Sequence, residues 1–260
     1  MLKKRLMGVV TIKNGWAVQS FGYNRYLPLG KPECIIENLD RWGVDEILVL
    51  CIDRSKHSLG PDFELLKKIA CLGLKTPLIF GGGINSVEYG LEVIQLGADR
   101  ICVDAIIHDE LEIVRKLSEH LGAQAVIGSL PLSINNNDIN WLDYRKNINT
   151  KISHERLATI SHAVSEILII DWVHEGAKEA FDSRLISEFP LNDIPLLAFG
   201  GVSECQQMHL LLSLEKVAAV AVGNSLNYKE HSIQKLKENL TVTPLRQSNY
   251  ESKYTLLSDV

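Results

Sequence analysis

Eight short apolar runs, separated by longer segments of helical periodicity, constrain the fold of this chain more than any other feature. Most of the runs are continuously apolar, which is typical of parallel strands that are buried on both faces. Eight strand–helix units favour a closed (βα)8 TIM barrel of the α/β class over an open, doubly wound sheet. The predicted strands are Leu6–Ile12, Glu46–Ile52, Pro77–Gly81, Arg100–Asp104, Gln124–Leu130, Glu166–Asp171, Pro195–Gly200 and Val217–Gly223.

The sequence also repeats itself once, at a spacing close to 120 residues. Val44–Leu50 matches Val164–Ile170 at that offset, and Gly82–Ser86 matches Gly200–Glu204 at an offset of 118. Self-similarity of this kind indicates a duplicated structural unit. We therefore predict a barrel made of two pseudo-symmetric half-barrels.

The segments between the strands predict the remaining organisation. Apolar residues recur at helical spacing in several of them. The clearest helical segments are Pro32–Trp42, Asp62–Leu72, Ser86–Leu96 and Glu110–Leu121. The polar, Asn-rich segment Asn135–Ile152 is predicted to be a loop after the fifth strand. We expect one barrel domain over residues 1–240, followed by a polar tail over residues 241–260.

Charge and cysteine usage narrow the class of function. The net charge is −5 and no long basic run occurs, so we predict neither a nucleic-acid nor a membrane partner. The five cysteines include no CxxC pair, which is typical of reduced thiols in a cytoplasmic protein. No histidine spacing typical of a metal site is present, so we predict no metal and no other cofactor.

Glycines follow the predicted strands at two symmetry-related places. Glycine lets the backbone approach a phosphate closely, and the N–H groups of the following turn can then bind the anion. A single cluster would be read as a tight turn, but two related clusters favour two phosphate sites. The candidate phosphate-binding residues are Gly82, Gly83 and Asn85 in the first half, and Gly176, Gly200, Gly201, Asn224 and Ser225 in the second.

These segments, together with the opening Lys4-Arg5 and Lys13-Asn14-Gly15, resemble the HisF family of half-barrel duplicates over residues 1 to about 240. That family comprises the cyclase subunits of imidazole glycerol phosphate synthase. The resemblance implies a (βα)8 barrel that holds a substrate with a phosphate at each end. It also implies a HisH-like glutaminase subunit at the opposite face, which sends ammonia through the barrel for closure of an imidazole ring.

The sequence departs from the family where the family does its acid–base chemistry. Thr11 and Pro131 stand where the resemblance implies two catalytic aspartates. Threonine is a poor general base at neutral pH, and proline has no side-chain proton to transfer. Gln19 replaces an expected lysine, and Asp104 replaces an expected asparagine beside the first phosphate. A divergent paralogue, linked to amination or amidation of surface sugars, fits this pattern better than an orthodox cyclase.

Charges at the starts of the strands match another part of the family pattern. Arg5, Glu46, Arg100 and Glu166 each open a strand, so their side chains should converge on the barrel axis. The resemblance implies an ammonia gate there, and Asp99 matches a family position that contacts the glutaminase. The alternative is a salt-bridge layer that serves only stability, although buried charges are costly unless they are paired.

Other polar residues become candidates for catalysis at the opposite rim. Asp53 follows the second strand, and His174 and Glu175 follow the sixth, where they could form an acid–base pair. Thr11 is also a catalytic candidate, because it occupies the position of one of the two implied aspartates. Each could equally be a solvated loop residue. Aromatic residues in the first loop, including Tyr23, suggest a lid over a polar substrate.

Three functions therefore compete. The first is a HisF-like subunit that uses ammonia from a glutaminase partner on a phosphorylated or nucleotide-linked sugar. The second is an orthodox cyclase in which Asp53, Glu175 or Asp104 replaces the missing acids. The third is a non-catalytic barrel that only docks a glutaminase or a modifying enzyme.

Overall fold

The computed structural model describes residues 3–227, residues 232–240 and Leu245. Eight parallel strands form a closed barrel, with helices packed around it. In chain order the described strands are β1 (Arg5–Lys13), β2 (Trp16–Phe21), β3 (Arg25–Gly30), β4 (Glu46–Cys51), β5 (Leu78–Gly81), β6 (Arg100–Val103), β7 (Val126–Asn135), β8 (Asp138–Asp143), β9 (Ile148–Lys151), β10 (Glu166–Asp171), β11 (Leu196–Phe199) and β12 (Val217–Val222). The described α-helices are α1 (Pro32–Trp42), α2 (Phe63–Ala70), α3 (Val87–Gln95), α4 (Ala105–Asp109), α5 (Leu111–Leu121), α6 (His154–Ser161), α7 (Arg184–Ser187), α8 (Cys205–Ser213) and α9 (Ser232–Asn239).

Parallel pairing closes the barrel in chain order. It runs through β1, β4, β5, β6, β7, β10, β11 and β12, and β12 pairs with β1 again. Each of the eight predicted apolar runs overlaps one of these strands, so the predicted (βα)8 fold is confirmed.

Alternation along the strands divides the core into two clusters. Outward-facing residues such as Ile47 and Val49 pack with apolar residues of the helices in the larger cluster. Inward-facing residues such as Met7, Leu48 and Leu168 fill the barrel itself. Burial of both faces explains why the strands read as continuously apolar.

Helix ends follow local sequence signals. Ser86 accepts a hydrogen bond from the amide of Tyr89 and caps α3, and Asp62 caps α2 in the same way through Leu65. The start of α1 has Pro32 in its first turn, and its end has Gly43 with φ of 78°. No described helix is long and apolar enough to cross a membrane.

Two β-hairpins extend the barrel at the end where the strands finish. The pair β2–β3 follows β1, and β8–β9 continues β7 as antiparallel strands. The prediction of a loop over Asn135–Ile152 was therefore wrong, because that segment contains β8 and β9. Asn136 and Asn137 form the two-residue turn that joins β7 to β8, and both have the positive φ that such a turn requires.

Most of the predicted tail over residues 241–260 lies outside the described residues. Leu245 is described, and it forms an isolated parallel bridge with Lys4 beside the start of β1. The domain boundary at residue 240 stays a prediction.

Candidate functional site

The glycines of the second half surround a cavity of about 190 Å³ at the carboxyl ends of the strands. Gly200 and Gly201 have φ of 99° and 77°, and a Cβ on Gly200 would lie 2.4 Å from the carbonyl oxygen of Asp171. Only glycine fits that backbone without strain. All five predicted phosphate-binding residues of this half line the cavity: Gly176, Gly200, Gly201, Asn224 and Ser225. Lys178 adds a positive charge to the lining.

The β2–β3 hairpin is clamped beside this cavity. The side-chain nitrogen of Asn224 donates to the carbonyl oxygen of Ser20 at 2.6 Å, and the side-chain oxygen of Asn224 accepts from the backbone N–H of Ser20 at 3.2 Å. The Ser20 hydroxyl donates to the buried carboxylate of Glu175 at 2.9 Å. Burial raises the pKa of Glu175, although hydrogen bonds from Ser20 and Tyr23 oppose the shift. Glu175 therefore holds the hairpin in place.

The hairpin tip carries Tyr23 to the mouth of the barrel. Tyr23 has a positive φ of 51° and packs against the inner cluster beside Ile52 and Trp172. Its hydroxyl is buried and makes no hydrogen bond with any described residue. Burial, and then the charge of Glu175, raise the pKa of Tyr23 well above its usual value. The suggested lid is thus a hairpin with an aromatic side chain at its tip.

In the first half, the glycine turn that follows β5 is hydrogen-bonded to a polar side chain of a neighbouring loop. Ser55 accepts a hydrogen bond from the amide of Gly83 at 3.1 Å and donates to Asp104 at 3.2 Å. Asp104 also accepts from the hydroxyl of Tyr144, which lies between β8 and β9. Gly82 keeps its positive φ, and the exposed Asn85 precedes the cap of α3.

The proposed acid–base pair of His174 and Glu175 is not formed. His174 Nδ1 lies 2.7 Å from the buried carboxylate of Asp171, whereas Glu175 contacts the hairpin. Asp171 faces the outer layer because it follows Ile169 in the strand alternation, so it draws the imidazole away from the barrel axis.

The remaining catalytic candidates have local partners. Asp53 accepts a hydrogen bond from the amide of Asn14 at 2.7 Å. Thr11 is buried in β1 opposite Leu50, and Pro131 lies in β7 opposite Ile170. Within the described ranges, no three His, Cys, Asp or Glu side chains are grouped as a metal site needs.

Four charged residues meet at the opposite end of the barrel. Arg5 contacts Glu46 at 3.3 Å and also pairs with Glu166. Arg100 contacts Glu46 at 3.5 Å and Glu166 at 2.7 Å. Each cation thus bridges both anions, and we call this arrangement the floor ring. Burial raises the pKa of Glu46, while Arg5 and Arg100 oppose that shift.

The floor ring lies at the base of an open depression of about 500 Å³. Asp99 and Gln124 line this depression beside the ring. The Asp99 carboxylate also accepts the amide hydrogen of Leu78 at 2.8 Å, so it anchors the start of β5.

The sequence reasoning did not identify four contacts of the site: those of Ser20, Ser55, Tyr144 and Asp171. The repeat contained a signal for one of them, because Ser55 lies 120 residues before Glu175. Comparison of the halves at this offset would have marked Ser55 as the counterpart of Glu175.

Similarity to known proteins covers nearly the whole chain. A family described as "Histidine biosynthesis protein" matches residues 5–232. "Putative imidazole glycerol phosphate synthase subunit hisF2" of Vibrio vulnificus is 28% identical over 237 residues, which cover 89% of this chain and 86% of that protein. The HisF subunit of imidazole glycerol phosphate synthase from Bacillus subtilis is 24% identical, with 92% and 97% of the two chains covered. The HisF subunit from Thermococcus gammatolerans is 26% identical, with coverage of 92% and 96%.

Proposed function

The chain belongs to the histidine biosynthesis protein family, and from this premise we propose that it is a HisF-like synthase subunit supplied with ammonia by a glutaminase partner. Its substrate is a phosphorylated or nucleotide-linked sugar-type molecule held at the open rim of the barrel. Amination or amidation of surface sugars is the chemistry that we assign to it. The floor ring is the observation that carries the proposal.

The contacts of the floor ring suit a gate for a small polar molecule. The Oε2 atom of Glu46 is buried and accepts no hydrogen bond from any described residue. An unpaired buried acceptor is costly in a layer that serves only stability. Ammonia can donate an N–H to such an oxygen. We therefore propose that Arg5, Glu46, Arg100 and Glu166 form the gate, and that Asp99 lies on the partner face.

The open glycine cavity supports the proposed substrate class. Backbone N–H groups near Gly200 and Gly201, together with the cation Lys178, provide the donors and charge that a phosphate needs. A volume of about 190 Å³ is small for a whole sugar nucleotide. The phosphate would occupy it, and the rest of the substrate would lie outside.

Local hydrogen bonds argue against the orthodox cyclase. Asp53, Glu175 and Asp104 are the carboxylates that would have to replace the missing aspartates. Each already accepts hydrogen bonds: from Asn14, from Ser20, and from Ser55 with Tyr144. These carboxylates keep further lone pairs, but they are oriented by loop partners, and none of them lies on β1 or β7, the strands that carry Thr11 and Pro131.

A non-catalytic barrel is the second candidate, because Tyr23 packs against the inner cluster where a substrate would approach the axis. In that case ammonia would leave the barrel for an acceptor on another protein. The floor ring and the glutaminase partner are common to both candidates.

A binding and turnover experiment tests the proposal. Candidate glutaminases are captured with the tagged chain, and glutamine hydrolysis is measured with and without it. We expect a stable heterodimer and faster hydrolysis in the presence of the chain. Failure of every glutaminase from the source cell to bind would reject the partner, and with it the proposed use of ammonia.

A further inference from the structure

We propose that this barrel holds its ligand by one anionic group, at the second-half cavity, because its own Asp104 carboxylate occupies the matching site of the first half. The inference rests on the proposed function and defines its substrate class. A molecule with a phosphate at each end would not be the substrate.

The two halves supply equivalent positions with different chemistry. Ser55 of the first half corresponds to Glu175 of the second at an offset of 120. Asp104 corresponds to Gly223, because strand pairing in the barrel matches β6 to β12 in that register. Gly83 and Gly201 correspond at an offset of 118 and share the same φ of 77°. The backbone cradle is therefore duplicated, and the side chains around it decide whether an anion can enter.

In the first half those side chains turn into the cradle. The Gly83 amide, a donor that a phosphate would use, is taken by Ser55 Oγ at 3.1 Å. Ser55 in turn donates to Asp104 Oδ1, which lies 2.5 Å from the amide of Ala105 at the start of α4. Tyr144 donates to the other oxygen of Asp104. One carboxylate thus collects the donors that an external anion would need.

In the second half the side chains beside the cradle contact the hairpin and leave the cavity open, although Glu175 and Asn224 are part of its lining. Glu175 contacts Ser20 and Tyr23 of the hairpin, and Asn224 contacts the backbone of Ser20. The space beside Gly200 and Gly201 stays open. Lys178 lies in its lining and pairs there with Glu204 at 3.3 Å, so an anion would compete with that carboxylate for the cation. Gly223 has no side chain, so an anion meets no carboxylate at the position equivalent to Asp104.

Charge strengthens this difference between the halves. A phosphate in the first cradle would have to lie beside Asp104 and compete with it for the same donors. Repulsion between like charges at such separation is strong where water is partly excluded. The two cradles therefore differ in anion affinity although their backbones match.

A titration of glycine-labelled protein with inorganic phosphate tests the inference. The full chain carries ¹⁵N in glycine only, and its amide resonances are followed by NMR. We expect Gly200 and Gly201 to shift in a saturable way while Gly82 and Gly83 do not. In Asp104→Asn we expect Gly82 and Gly83 to respond as well, with a gain in affinity of at least about tenfold. The reciprocal Gly223→Asp variant, whose Cβ would meet its nearest neighbour at 3.6 Å, should lose the response of Gly200 and Gly201, and circular dichroism checks that each variant is folded.

Every outcome bears on the inference. Saturable shifts at both glycine pairs of the unmodified chain would overturn it and leave the proposed function intact. Unchanged resonances of Gly82 and Gly83 in folded Asp104→Asn would overturn it too, since the carboxylate would not be what excludes the anion. If neither glycine pair shifts in the parent chain or in any variant, the phosphate site of the proposed function would be rejected together with this inference.

Discussion

At the scale of single residues, the buried charges of this barrel differ in how they are balanced. Glu46 and Glu166 each contact two arginines, whereas Glu175 has no cation among its described partners and relies on Ser20 and Tyr23. A buried carboxylate without a cation keeps most of its desolvation cost. Glu175 and the floor ring should therefore respond differently to substitution.

Replacing Arg5 by alanine should open the floor ring without unfolding the barrel, because Arg100 still bridges Glu46 and Glu166. In complex with the glutaminase, we expect glutamine-driven product formation to fall by about tenfold, while the reaction with added ammonium changes little. Steady-state rates with the two nitrogen sources measure this. Arg115→Ala, which removes an exposed arginine of α5, is the control.

The competing explanation makes the opposite prediction for the same variant. If the floor ring serves only stability, Arg5→Ala lowers the melting temperature and both nitrogen sources lose activity equally. Equal losses would end the gate hypothesis and leave these residues with a structural role.

Glu175→Gln should stabilise the protein at neutral pH and lose that advantage in acid. Burial raises the pKa of Glu175 in the folded state, so the folded state binds its proton more tightly than the unfolded state. Its contribution to stability is complete below the unfolded pKa and declines as pH rises through the folded value. Glutamine resembles the protonated form, so the stability difference should grow from about pH 4 upward and then level off. Urea unfolding between pH 4 and pH 8 measures the difference.

Glu64→Gln is the matched control, because the exposed Glu64 has a pKa that its hydrogen bond to Lys67 lowers. Its contribution to stability is present above the unfolded pKa and is lost in acid, so this variant should show the opposite sign. A Glu175→Gln protein that is less stable than the parent at pH 7 would mean that hydrogen bonds to the charged form outweigh burial.

At the scale of elements, the two hairpins separate this barrel from a bare alternation of strands and helices. The β2–β3 hairpin brings Tyr23 to the barrel mouth, and the β8–β9 hairpin brings Tyr144 to Asp104. Each hairpin is fixed by side chains of other loops. Both are therefore expected to loosen when those side chains are removed.

Asn224→Ala should release the β2–β3 hairpin, because it removes both hydrogen bonds between the Asn224 amide and the backbone of Ser20. Two such bonds contribute about 1–3 kcal/mol, so cleavage by trypsin after Arg25 should become at least about fivefold faster. Mass spectrometry of a digestion time course identifies that cut.

Asn227→Ala provides the comparison, since Asn227 lies in the same short 3₁₀ segment and makes only a long contact of 3.5 Å to Gly223. Its digestion should match that of the parent chain. Equal cleavage of all three proteins at Arg25 would show that Asn224 does not hold the hairpin.

The strands of the barrel could be predicted from sequence, and the hairpins could not, for a physical reason. Barrel strands bury both faces, so runs such as Glu46–Cys51 are continuously apolar. The β8 strand alternates polar and apolar residues over only six positions, and β9 is fully exposed. The pair Asn136-Asn137 between two short alternating segments was the usable signal, since both residues adopt positive φ in the turn.

In the candidate site, contacts between strand residues could likewise be predicted from the sequence, and contacts between loop residues could not. Residues on regular strands, such as those of the floor ring, came together as strand alternation predicts. The partners of His174 and Glu175 could not be predicted, because they depend on how two loops fold over the rim. Loop conformation follows from tertiary contacts that no local pattern encodes.

At the scale of the whole molecule, one end of the barrel carries the floor ring, and the other has Thr11 and Pro131 where the family resemblance implies two catalytic aspartates. We therefore expect no imidazole-forming activity at ordinary enzyme rates with added ammonium and the histidine-pathway substrate. Thr11 and Pro131 supply no carboxylate, and each lost acid or base costs about 10²–10⁴-fold in rate.

Product absorbance in a coupled assay measures that activity, with an orthodox HisF subunit run in parallel. The Thr11→Asp variant should still be inactive, because it restores only one of the two carboxylates. Turnover by the unmodified chain at a rate close to that of the orthodox subunit would contradict our reading of both positions.

The closed pairing of the floor ring also limits how this protein can change over generations. Loss of one arginine leaves two carboxylates that share one cation, and loss of one glutamate leaves two guanidinium groups that share one anion. Electrical neutrality returns only with a second substitution of the opposite sign. Mutations at these four positions should therefore be epistatic and accumulate in compensating pairs, whereas residues of the rim loops can be substituted singly.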